Sequence, residues 1–171
     1  MSAFALSQIL VAVAICFDLL SFQCKERRRI IACLIVSCTL ISCHFALLGL
    51  WTAMGLALLA AVRLVAGYIT TAKSVMLFFI AASLAVTAMT FEGMLSVLSC
   101  LGALFGTIGS FCREDKQLRL VMMMATSMWL LHNSLAGTPT AVLMETLFLG
   151  SNLLGYYRFY LRPAEKIDPS R

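Results

Sequence analysis

The chain has 171 residues, 61% of them hydrophobic and only 12% charged, with a formal charge of +5. A soluble domain carries about a quarter charged residues, so the mean hydropathy of +0.96 points to a chain solvated by lipid. Seven spans of about 20 residues each would use nearly all of it. The positive charge therefore reads as cytoplasmic loop charge, and no aromatic-basic cluster outside the apolar runs suggests nucleic acid.

The first apolar run resembles a signal peptide, with Ala12-Val13-Ala14 as a cleavage-like triplet. Its leading residues Met1-Ser2 carry no Lys or Arg, whereas Lys25-Glu26-Arg27-Arg28-Arg29 follows the run. That order predicts an uncleaved first helix with its N-terminus outside. The expected spans are residues 3–22, 30–48, 52–71, 74–90, 93–111, 118–136 and 139–160. Short turns at Gly49-Leu50-Trp51 and Gly137-Thr138-Pro139 make spans 2/3 and 6/7 tight hairpins. With seven spans, the inner segments collect Lys25, Arg27, Arg28, Arg29, Lys73, Arg113, Lys116, Arg119, Arg158, Arg162, Lys166 and Arg171. The outer loops then hold no Lys or Arg. The expectation is an all-α protein of the bacterial inner membrane, multi-pass, with a periplasmic N-terminus and a cytoplasmic C-terminus.

Cysteines stand at 16, 24, 33, 38, 43, 100 and 112, an odd number without a C-x-x-C pair. Most lie in apolar runs, where Cys packs as a small hydrophobe. Neither a disulfide framework nor a structural metal site is expected.

An internal repeat runs at an offset of 88 residues. It aligns His44-Phe45-Ala46-Leu47-Leu48-Gly49 with His132-Asn133-Ser134-Leu135-Ala136-Gly137. The same register pairs Cys24 with Cys112, Glu26 with Glu114, and Gly67-Tyr68 with Gly155-Tyr156. The unit is three spans, with span 4 left over. The implied organisation is one membrane domain over 1–171. It comprises a first repeat over about 3–71, a linker helix over about 73–91, a second repeat over about 93–160 and a short tail at 161–171. Because the linker crosses once, the two copies are parallel, as in the SWEET transporters.

Several of these residues resemble the YgjV family of bacterial inner-membrane proteins. The resemblance rests on His44-Phe45-Ala46-Leu47-Leu48-Gly49 and Trp129-Leu130-Leu131-His132-Asn133-Ser134-Leu135-Ala136-Gly137. Glu145, Asn152, Tyr157-Arg158-Phe159-Tyr160 and Ile167-Asp168-Pro169 extend it. It covers essentially the whole chain and implies a distant similarity to the PQ-loop and SWEET group. Two features depart from that pattern. Ala60 stands where the family tends to have Asn, and no Pro-Gln pair is present, the prolines being Pro139, Pro163 and Pro169.

Ionisable groups at membrane depth cost about 2.5–3.5 kcal/mol on insertion scales. Asp18, His44, Arg63, His132 and Glu145 are such groups, and the amides Asn133 and Asn152 join them. Glu145 lies roughly 9 Å below the outer turn at 1.5 Å per residue, at the depth of His132, so a hydrogen-bonded pair is one expectation. Asn152 and Tyr156 follow on the Glu145 face, and Thr126, Trp129 and Asn133 share a face of span 6. Such a polar stripe suits a solute pocket, interhelical hydrogen-bond glue or proton coupling. Arg63 either snorkels to the inner headgroups or serves as counter-ion to Glu145 or to an anionic solute. Asp18, close to the basic loop, is expected to pair with it. Two histidines without Cys or a carboxylate cluster make a poor metal site. Gly102, Gly106 and Gly109 form a close-packing stripe, and Met122-Met123-Met124 reads as filler.

No phosphate loop, nucleophile elbow or zinc-protease motif occurs, so neither an enzyme nor a cofactor is expected. The candidate substrate-binding set is Glu145, His132, Asn133, Asn152, Trp129, Arg63 and His44. The candidate partners are the lipid bilayer and a small polar solute. Two functions stand: a small-solute transporter or facilitator with its site between the repeats, or a non-transporting assembly or regulatory subunit.

Overall fold

A computed structural model describes residues 2–24, 26–112 and 114–161. Lys25, Arg113, Arg162, Lys166, Arg171 and the Ile167-Asp168-Pro169 motif lie outside the described residues. Those described form seven α-helices and a terminal π-helical turn. The helices are α1 (Ala3–Gln23), α2 (Arg27–Leu47), α3 (Trp51–Ile69), α4 (Lys73–Met89), α5 (Met94–Ser110), α6 (Asp115–Leu135) and α7 (Pro139–Tyr156). The π-helical turn covers Tyr157–Leu161. The stretches Ala3–Ser21, Arg28–Leu47 and Trp51–Ile69 are long and apolar enough to cross a membrane, and α4 and α5 are shorter apolar helices.

The helix ends follow local chemistry. Ser2 caps α1, its hydroxyl accepting from Ala5 N–H at 3.1 Å. Pro139 opens α7, where its missing N–H costs nothing. Helices α2 and α6 each begin three residues before the apolar spans expected at 30 and 118. Polar and charged residues such as Arg28, Arg29, Lys116 and Gln117 are good helix formers, so backbone helix runs past the apolar edge. The α2–α3 and α6–α7 hairpins close alike. Gly49 and Gly137 take φ of 72° and 68°, the left-handed region that suits glycine. In the next residues Leu50 N–H bonds Phe45 O at 3.0 Å and Thr138 N–H bonds Asn133 O at 3.0 Å. Both turns are Schellman closures.

Six helices close a ring. In order, α1 packs on α2, α2 on α3, α3 on α5, α5 on α6, α6 on α7, and α7 back on α1. Helix α4 stands outside the ring and packs on α3 and α5. Its buried residues are Phe79 and Ser83, whereas α5 behind it buries much of its length. Large apolar side chains such as Phe78, Met89, Leu131, Leu143 and Leu154 face outward, as a lipid-facing surface requires.

The ring has two seams between its halves. At the α3–α5 seam, Thr52 Oγ1 donates to Thr90 O at the end of α4, and Thr52 and Ser96 share a hydrogen bond of 2.8 Å. At the α1–α7 seam, the Gln8 side-chain oxygen accepts from Thr140 N–H at 3.1 Å, satisfying a free donor of the first turn of α7.

Candidate functional site

A cavity of about 310 Å³ lies inside the ring and touches all six of its helices. It runs along α6 from Met122 to Asn133, about 16 Å at 1.5 Å per residue. Its walls are mainly apolar, including Val11, Ile41, Leu56, Met144 and Phe148. Its polar lining includes Asp18, Ser37, His44, Arg63, Ser110, Thr126, Asn133 and Glu145.

Glu145 projects from α7 and is 7% exposed. It makes no hydrogen bond or ion pair among the described residues. The expected pairing with His132 does not form. His132 instead turns its ring to aromatic neighbours, edge-on to Phe45 and to Trp129 with centroids 5.5 Å away in both cases. Its Nδ1 lies 3.3 Å from Asn133 Oδ1. His132 is buried yet absent from the cavity lining, one layer behind Phe45 and Trp129.

The expected pair of Asp18 with the basic loop falls partly on Lys25 and the Arg27 side chain, which lie outside the described residues; among those described, Asp18 makes no ion pair. It is 4% exposed and lines the cavity. The reason is angular. Ser7, Val11, Ala14, Asp18 and Ser21 are all buried and recur every three or four residues, so Asp18 belongs to the inward stripe of α1. Asp18 on α1 and Glu145 on α7 both line the cavity.

Arg63 points inward instead of snorkelling. Its Nη1 donates to Thr107 Oγ1 at 2.6 Å and to Ala103 O at 3.3 Å, both on α5. Its Nε is buried without a partner. It forms no ion pair with Glu145 among the described residues; it lies at the α3–α5 seam. The glycine stripe of α5 makes room for these groups. A Cβ on Gly102 would come within 2.7 Å of Trp129 Nε1, and one on Gly106 within 3.5 Å of Arg63 Nη2.

Trp129 stacks on Phe45 at 5.8 Å and 22°, and both rings line the cavity. His44 is fully buried, its Nδ1 donating to Ser7 O at 3.1 Å, which leaves Nε2 without a partner. Among the described residues no three His, Cys, Asp or Glu side chains are grouped as metal ligands would be. Of the residues singled out in the sequence, Glu145, Asn133, Trp129, Arg63 and His44 line one cavity. Asn152 does not; it is half-buried on α7, outside the lining. Asp18, Ser37 and Phe45 also line it and are absent from the set expected from sequence. The signal that identifies Asp18 is its helical register with Val11 and Ser7.

An inside-out helical bundle with a partly polar interior defines a membrane protein. The chain belongs to the YgjV family of bacterial inner membrane proteins, whose profile matches residues 5–163. It is 30% identical over 169 residues to the inner membrane protein YgjV of Escherichia coli strain K12, covering 99% of this chain and 92% of that one. No solved structure matches it.

Proposed function

We propose that this chain is a small-solute transporter or facilitator. In this reading it crosses the inner membrane seven times, with the N-terminus periplasmic and the C-terminus cytoplasmic. Its cargo sits between two parallel three-helix repeats, residues 3–71 and 93–160, with α4 as the linker.

Several observations support the repeat. Helix α2 at 27–47 and helix α6 at 115–135 are 88 residues apart at both ends. The two Schellman glycines, Gly49 and Gly137, keep the same offset. Cavity-lining positions pair at that offset too: Leu34 with Met122, Cys38 with Thr126, Ile41 with Trp129 and Phe45 with Asn133. On the next helix of each half, Leu56 pairs with Met144, Ala57 with Glu145 and Ala60 with Phe148. A parallel duplication brings equivalent faces together around an axis along the membrane normal, and α4 outside the ring suits a linker.

The observation that carries the transport reading is Glu145, buried and unpartnered at the cavity. Its counterpart Ala57 lines the same cavity, so a packing need common to both halves does not account for a carboxyl here. A carboxylate out of water is costly without a partner, and interhelical glue would supply one from the protein. Glu145 has none among the described residues, which suits a site completed by a bound solute.

The test is thermal unfolding of the purified chain in detergent against a panel of amines, amino acids, sugars and carboxylates. A ligand must stabilise the state it binds. The expected result is a saturable shift from one solute class, lost in Glu145→Gln while that variant unfolds near the wild-type temperature. A marked destabilisation of Glu145→Gln, with no solute response in the wild type, would make Glu145 structural.

A further inference from the structure

Building on the solute-site reading, we infer that the cavity binds a small organic cation, a protonated amine carrying an apolar or aromatic body, with Glu145 and Asp18 as its counter-ions. Both carboxyl groups line the cavity, Asp18 from α1 and Glu145 from α7, two helices packed on each other. The one cation of the described lining, Arg63, is tethered at the α3–α5 seam to Thr107 and Ala103. Among the described residues neither Glu145 nor Asp18 makes an ion pair. Two like charges sharing a low-dielectric site repel, and a cation between them relieves both.

The remaining walls set the body of the ligand. Stacked Phe45 and Trp129 offer aromatic faces, which attract alkylammonium groups, and Ile41, Met144 and Phe148 are apolar. The cavity of about 310 Å³ has room for a compact amine with an aromatic body.

The chain has two tryptophans, so Trp51→Phe leaves Trp129 as the sole indole reporter. The probes are benzylamine, protonated at neutral pH, and its near-isosteres benzyl alcohol and benzoate. They are titrated into the purified protein in a nonionic detergent, reading Trp129 fluorescence and unfolding temperature. Benzylamine is expected to give a saturable response at a concentration at least about tenfold below that of either isostere, the order of discrimination expected from one desolvated charge pair. Glu145→Gln and Asp18→Asn are each expected to remove that preference, while Leu154→Ala on the exposed surface keeps it. Both carboxyl variants are near-isosteric, and their own unfolding curves separate loss of binding from loss of fold. Equal or tighter saturation by benzoate or benzyl alcohol would overturn the cation assignment and leave the solute site standing. A preference for benzylamine that survives both carboxyl variants would overturn the role of Glu145 and Asp18. Absence of saturation by all three overturns the assignment as well. In that case labelling of Cys38 decides whether the solute site also falls: access from both membrane sides retains it, access from one does not.

Discussion

Arg63 on α3 is held by Thr107 on α5, through a 2.6 Å hydrogen bond from Nη1 to the threonine oxygen. This bond crosses the seam between the two halves of the ring, and the second Nη1 contact, to Ala103 O, reinforces it. Thr107→Val removes the acceptor while keeping the shape. Interhelical hydrogen bonds in membranes are worth about 0.6 kcal/mol on average and up to about 1.7, and a charged donor left short of a partner lies at the upper end. We expect Thr107→Val to lower stability by about 1–2 kcal/mol in detergent unfolding. Arg63→Lys should not substitute, since a point charge lacks the planar fork. Wild-type stability in Thr107→Val would mean that Arg63 is held by something else.

Gly102 sets the position of Trp129. A methyl group there would approach the indole nitrogen to 2.7 Å, so the ring must shift. Gly102→Ala is expected to cost about 1–3 kcal/mol, as overpacking does, and to change Trp129 emission in the Trp51→Phe background. Gly150, where an added methyl would meet nothing within 4 Å, is the control. Gly150→Ala should be neutral or stabilise by up to about 1 kcal/mol. Equal effects at both positions would show that the close approach at Gly102 is not what matters.

The proposed orientation predicts reporter outcomes. Alkaline phosphatase, active only in the periplasm, should be active when fused in the α2–α3 turn after Gly49 or in the α6–α7 turn after Gly137. It should be inactive when fused after Arg171. A phosphatase-active fusion at 171 contradicts seven crossings with the N-terminus outside.

The helices are legible in the sequence because their punctuation is chemical. Gly49, Gly137 and Pro139 mark turns by backbone geometry alone. The ends of α2 and α6 are less legible, because charged residues that are good helix formers continue the backbone past the apolar run. For the site, depth along a helix is readable but direction often is not. The nearness of Asp18 to Arg28 and Arg29 suggests an ion pair, yet its register with Val11 turns it inward. Asn152 shares a seven-residue spacing with Glu145, but near the end of α7 that face leaves the cavity lining. The inward turn of Arg63 depends on Gly106 and Thr107, two residues of a helix more than thirty positions away. No local pattern carries that information.

Cys38 gives the most direct test of the transport reading, because it lines the cavity and reports without knowledge of the solute. With the other six cysteines replaced by Ser or Ala, Cys38 is labelled by a membrane-impermeant maleimide in right-side-out and in inverted membrane vesicles. A cavity that opens alternately to the two sides predicts modification in both orientations, slowed by any solute that binds. Modification from one side only, or from neither, would contradict it.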